Sequence, residues 1–160
     1  MIRLYKRGAD GKALAYHEAW VEPENRRIVE HWGLLGEEGE TDTYRIKLLG
    51  SLKKQFNSVL DPARGEGFTE IAEGDYASLI IEYETAGGVI GESTDKRDNL
   101  EEALNQKLGW TGLGYCEGIE TDAGTMAVAC FVVDYDLALQ IIETSLKDTE
   151  FGDYSRIYQE

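Results

Sequence analysis

Residues Arg26–Ile46 read RRIVEHWGLLGEEGETDTYRI. Arg27-Ile28-Val29-Glu30-His31-Trp32 alternates in the period of a half-buried strand. A turn rich in glycine and acid follows, and a second alternating run, Thr41–Lys47, returns. Gly36 and Gly39 suit the reversal, because glycine enters φ > 0 without a Cβ clash, so the stretch predicts a β-hairpin. Lys47–Leu60 carries apolar residues at 48, 49, 52, 56, 59 and 60. That spacing is one stripe of an amphipathic helix, which Asp61-Pro62 is expected to stop.

Upstream, Ile2–Arg7 reads as an edge strand and Leu14–Val21 as a second strand with Leu14, Tyr16 and Trp20 on one side. Gly8-Ala9-Asp10-Gly11 and Glu22-Pro23-Glu24-Asn25 supply the turns. Downstream, Gly67–Ile71 reads as a short closing strand, and Glu73-Gly74-Asp75 as a junction.

Strand, tight turn, strand, amphipathic helix and then Gly65-Glu66-Gly67-Phe68 is an order of parts that resembles the WGR domain, named for the Trp-Gly-Arg that ends one of its strands. The resemblance places a WGR-like domain at residues 1–73. It implies a small antiparallel sheet with one helix across a face. In the WGR domains of poly(ADP-ribose) polymerases, the tryptophan and arginine serve DNA-end recognition and interdomain contact. Trp32 and Gly33 match the motif, whereas its third position is Leu34 here. Leucine has neither charge nor donor, so the ionic part of that role does not carry over.

Residues 78–160 change character. Ser78–Glu84 is rich in β formers. Thr85–Ser93 reads as a glycine-containing loop, and Thr94 as the N-cap of a helix with Asp95 and Asp98 in its first turn. Leu100, Ala103, Leu104 and Leu108 form that helix's stripe, and Gly109 its expected stop. Gly112–Glu120 and Thr125–Val133 flank the turn Thr121-Asp122-Ala123-Gly124. Asp134 or Asp136 caps a second helix faced by Leu137, Ala138, Ile141, Ile142 and Leu146, and Ser155–Gln159 reads as a last strand. Met126–Val133 is apolar throughout and is expected at the centre of the sheet. This β-α-β-β-α-β order predicts a ferredoxin-like half. The fold class is therefore α+β, with an antiparallel sheet in each half.

Charge is unevenly spread over the 160 residues, whose net is −15. Residues 1–77 hold 11 Lys+Arg against 14 Asp+Glu, and residues 78–160 hold 5 against 17. Such a field repels polyanions, which disfavours nucleic-acid binding by the whole chain and favours a basic partner. The longest apolar run, Met126–Val133, is far short of the ~20 residues a membrane helix needs. The start, MIRLYKRGADGKA, shows no apolar secretory core. Cys116 and Cys130 are too few for a disulfide scaffold, so two buried, reduced thiols in a cytoplasmic protein are expected.

The chemical motifs are sparse. Gly112-Leu113-Gly114-Tyr115-Cys116-Glu117-Gly118 has the wrong spacing for a dinucleotide fingerprint, and a strand follows it, so its glycines are assigned to bulges or close backbone packing. His17 and His31 are the only histidines. His31, facing away from Trp32, is expected at a rim or in solvent. The acids Glu37, Glu38, Glu40 and Asp42 lack calcium-site spacing and read as a solvated turn. No catalytic residue, metal site or cofactor is expected.

Two surfaces remain. Arg26, Arg27, Arg45, Lys53 and Lys54, with Trp32 and Trp20, form a candidate contact for nucleic acid or another anion. Glu117, Glu120, Asp122, Asp148, Glu150 and Asp153 form a candidate acidic surface for a protein partner. The sequence reading is a non-catalytic binding module, possible forms being an acidic inhibitor or immunity-type protein for a basic partner. Recognition of nucleic acid or a nucleotide by the first half is the alternative.

Overall fold

The structure is a computed structural model that describes residues 1–84, 90–122 and 124–160; the side chains of residues 90–95, 97 and 118–122 are outside that description. The chain is α+β and divides into two compact units, Met1–Glu73 and Gly74–Glu160.

The first unit is an antiparallel sheet in sequential order: β1 (Ile2–Arg7), β2 (Ala13–Glu22), β3 (Arg27–Leu34) and β4 (Glu40–Arg45). The expected closing strand reduces to one bridge, in which Tyr5 and Thr69 exchange backbone hydrogen bonds of 2.8 and 3.0 Å. Helix α1 (Leu52–Gly65) packs Leu60 and Ala63 against Leu4, Ala19 and Ile28, flanked by Phe56, Val59 and Phe68.

The helix departs from its expected limits at both ends. Its start moves to Leu52, because Lys47 is tied sideways to Gln55 through both backbone groups and Gly50 turns at φ +106°. Leu48 and Leu49 therefore leave the stripe and stand 83% and 90% exposed. Pro62 does not stop the helix. One further turn survives because Ala63 is buried in the core and the amides of Glu66, Gly67 and Phe68 close onto Pro62, Ala63 and Arg64 carbonyls.

The second unit runs β5 (Ala77–Glu84), α2 (Ile90–Trp110), β6 (Gly114–Asp122), β7 (Thr125–Val132), α3 (Tyr135–Leu146) and β8 (Arg156–Gln159). Its sheet order is β6-β7-β5-β8, antiparallel throughout, so β7 is internal as expected. Alternate residues of β5 and β7 (Leu79, Ile81, Tyr83; Met126, Val128, Cys130, Val132) are buried, with α2 against β6 and β7 and α3 against β5.

Helix α2 begins before Thr94, which is thus inside the helix rather than its cap. The expected loop at Thr85–Ser93 falls partly on residues 85–89, outside the description. The helix stops at Gly112 (φ +68°), not Gly109. The Leu113 amide closes onto the Leu108 carbonyl and that of Gly112 onto Gly109, the paired bonds of a glycine C-terminal cap. Asp134 caps α3, accepting from the Leu137 amide at 3.0 Å.

Cys116 and Cys130 are joined by a disulfide, which corrects the expectation of free thiols. The cause is a register shift in β6 between Cys116 and Ile119. Beyond the turn, Ile119 opposes Val128; after the shift, Cys116 opposes Cys130. An unshifted hairpin would set Cys116 against Phe131 and point the sulfurs to opposite faces. Asn105 on α2 holds the shifted residue, accepting from the Cys116 amide at 2.7 Å and donating to its carbonyl at 3.2 Å.

Candidate functional site

The cations expected to act together converge only in part. Arg26 ends the β2–β3 turn and is held at φ +50°, a left-handed conformation costly for a side chain with a Cβ. Its amide bonds the Pro23 carbonyl at 3.1 Å, and its carbonyl accepts from Ile46 at 2.9 Å, so the strand ends impose the angle. Arg45, the last residue of β4, lies beside it. Together with Ile46, Lys47 and Leu48 they line a cavity of about 410 Å³. Lys47 is not among the cations singled out from the sequence, where it ends the alternating run Thr41–Lys47 and begins the helical stripe; its place just past β4 is the signal for it.

Arg27 is the register partner of Arg45 but is engaged elsewhere, donating to Glu22 at 2.6 Å. That bond, with one from Asn25, holds the Glu22 carboxyl below the ordinary carboxylate range. Lys53 and Lys54 are exposed on the first turn of α1, outside the cavity lining. Trp32 is at the opposite end of β3. It is half-buried on the helix side of the sheet and stacked on His17, with ring centroids 5.9 Å apart. Leu34 is 59% exposed.

The sheet's two faces each carry a Tyr–Glu–His group that the sequence reading missed. Across β2 and β3, Glu18 opposes His31 and His17 opposes Trp32, so the two histidines point oppositely. His31 is fully buried, not at a rim. Its Nδ1 meets Glu18 at 2.8 Å and its Nε2 meets the Tyr16 hydroxyl at 3.0 Å, while Arg3 pairs with the other Glu18 oxygen. Burial opposes the Arg3 charge, but Glu18 and Tyr5 outweigh it and leave its pKa raised. Burial pushes the Tyr16 hydroxyl up to about 12. On the other face, His17 meets Glu30 at 2.6 Å, and Tyr44 donates to the second Glu30 oxygen at 2.6 Å. That bond, then desolvation, lifts Tyr44 to about 12.

A buried histidine between a carboxylate and a phenol can relay a proton in principle. Here the His31 ring has no exposed surface, so its observed role is to satisfy buried polar atoms. Among the described residues no buried side-chain nitrogen or oxygen lacks a partner, and no group of His, Cys, Asp and Glu could hold a metal ion.

Of the acidic candidates, Glu117, Asp148, Glu150 and Asp153 are exposed. Asp153 is engaged by Lys96 at 2.6 and 2.8 Å. The side chains of Glu120 and Asp122 lie outside the described residues. No helix among the described residues is long and apolar enough to cross a membrane. No protein-family model, curated protein or solved structure matches the chain.

Proposed function

We propose that the chain is a non-catalytic binding protein that captures a basic protein partner through its second unit, as an acidic inhibitor or immunity-type protein would. The supporting observation is the charge division between the two units. Gly74–Glu160 holds 5 Lys+Arg against 18 Asp+Glu, a net of −13, while Met1–Glu73 nets −2 with 11 against 13. A small domain stays soluble with a net charge of about 2–8 in magnitude, so −13 exceeds that need. The exposed acids Asp148 and Glu150 lie in the connection from α3 to β8, and Glu117 lies on β6.

Electrostatic complementarity acts on association rate and partner choice more than on final affinity. The test is the association rate of a purified partner against ionic strength, in wild type and in Asp148→Asn/Glu150→Gln. A second reading, recognition of an anion by the first unit, is favoured by the convergence of Arg26, Arg45 and Lys47 on one cavity.

A further inference from the structure

Most arginines of this acidic chain are matched by acids or carbonyls. Arg3 pairs with Glu18, Arg27 with Glu22, Arg64 with Asp61 and Arg156 with Glu82, and Arg7 donates to the Gly11 carbonyl. Arg26 and Arg45 differ from these: their exposed side chains, like those of Lys47 and several other surface lysines, have no hydrogen-bonded or ion-paired partner among the described residues. Arg26, Arg45 and Lys47 nonetheless share one cavity, and the Arg26 backbone is held in a left-handed conformation beside it. Arg45 also faces Arg27 directly across the strands; Glu22 neutralises Arg27 at 2.6 Å, whereas Arg45 has no such acid among the described residues. Strained backbone and unneutralised cations gathered at one concavity are features that a ligand site retains at the expense of the fold.

We propose that Arg26, Arg45 and Lys47 bind the phosphate group of a small organic molecule whose apolar body rests on Ile46 and Leu48. This deepens the second reading above and is independent of the acidic surface. Two guanidinium forks suit the oxygens of a phosphate, and the lysine adds a third positive charge. Leu48 is 83% exposed at the rim and offers apolar surface rather than a further donor. A polymer is disfavoured, because the surrounding turn carries Glu22 and Glu24 and the chain's net −15 repels an extended polyanion.

Calorimetric titration of the full chain with ATP, tripolyphosphate and a short single-stranded oligonucleotide, at low salt, tests this. ATP is expected to bind saturably with a dissociation constant below about 1 mM, and more tightly than tripolyphosphate. Arg26→Asn, which tolerates the left-handed backbone, and Arg45→Gln should each weaken ATP at least about tenfold. Lys12→Gln, an exposed cation that does not line the cavity, should leave it unchanged. Circular dichroism checks that each variant is folded. Leu48→Ser, at an exposed position, should weaken ATP while sparing tripolyphosphate. No saturable heat with either phosphate up to about 10 mM would overturn the site, as would undiminished ATP binding by folded Arg45→Gln. Equal affinity for ATP and tripolyphosphate would overturn the apolar contact, and an oligonucleotide that outbinds ATP would overturn the small-molecule assignment.

Discussion

Arg27 and Arg45 stand directly opposite each other across β3 and β4. Glu22 neutralises the first, and the second borders the cavity with Arg26 and Lys47. A fold selected for stability alone would place an acid or threonine at one of the two positions. Arg45→Gln should therefore stabilise the first unit, by roughly 0.2–1 kcal/mol, the scale of a cross-strand pair. Equilibrium urea unfolding reads it, and a loss of stability would show that Arg45 has a structural partner.

Arg26→Asn follows the same logic through the backbone. Arginine at φ +50° carries a left-handed cost that asparagine bears more easily. The variant should be neutral to about 1 kcal/mol more stable. A loss above about 1 kcal/mol would mean that the Arg26 side chain is itself part of the packing.

Stability should fall in alkali. Tyr16 and Tyr44 are both raised to about 12 from 10.0. A raised phenol keeps its proton in the fold while the unfolded chain has released it, so the contribution is complete below pH 10 and declines between about 10 and 12. The buried Tyr16 supplies the larger part, on the order of 2–3 kcal/mol for its shift. Urea unfolding at pH 8, 10 and 11.5 should show the fall. Tyr16→Phe should flatten it, and at pH 8 should cost about 1–3 kcal/mol by leaving His31 Nε2 or the Glu37 carbonyl without the hydroxyl. A flat profile to pH 11.5 would contradict the buried assignment.

The Cys116–Cys130 disulfide closes a sequence separation of 14 residues. Its reduction should cost about 3 kcal/mol in the chain-entropy account. Thiol titration of the unfolded protein, before and after reductant, should read near zero and then two. Two reactive thiols without reductant would restore the reading drawn from sequence.

Much of the fold was legible because period decides it. The 2-residue alternation of β2, β3 and β4 and the apolar run of β7 place those strands without reference to the rest of the chain. Failures came where a long-range partner overrides a local signal. Proline punctuates helices in general, yet α1 runs past Pro62 to Gly65, with Ala63 in the core and the Glu66, Gly67 and Phe68 amides closing the last turn. His31 looks polar in sequence, and only the neighbouring strand brings Glu18 and Tyr16 to it. The disulfide depends on a one-residue register shift: the glycines of Gly112–Gly118 allow a bulge, but its place between Cys116 and Ile119 is set by pairing with β7. The cationic site is half legible: Arg26 and Arg45 stand out in the sequence, Lys47 falls where the strand pattern passes into the helical one, and Lys53 and Lys54 lie outside the cavity lining.

Capture of a basic partner by the acidic unit is tested most directly by the association rate of the purified partner measured from 50 to 500 mM salt. The partner is obtained by affinity capture from native lysate and then identified and purified. A basic partner should associate at least about tenfold more slowly at the higher salt, because screening shortens the reach of the −13 unit. Asp148→Asn/Glu150→Gln should slow it at low salt with the fold intact. A partner that is acidic, or an association rate that does not change with salt, would contradict the proposal and leave the charge to solubility.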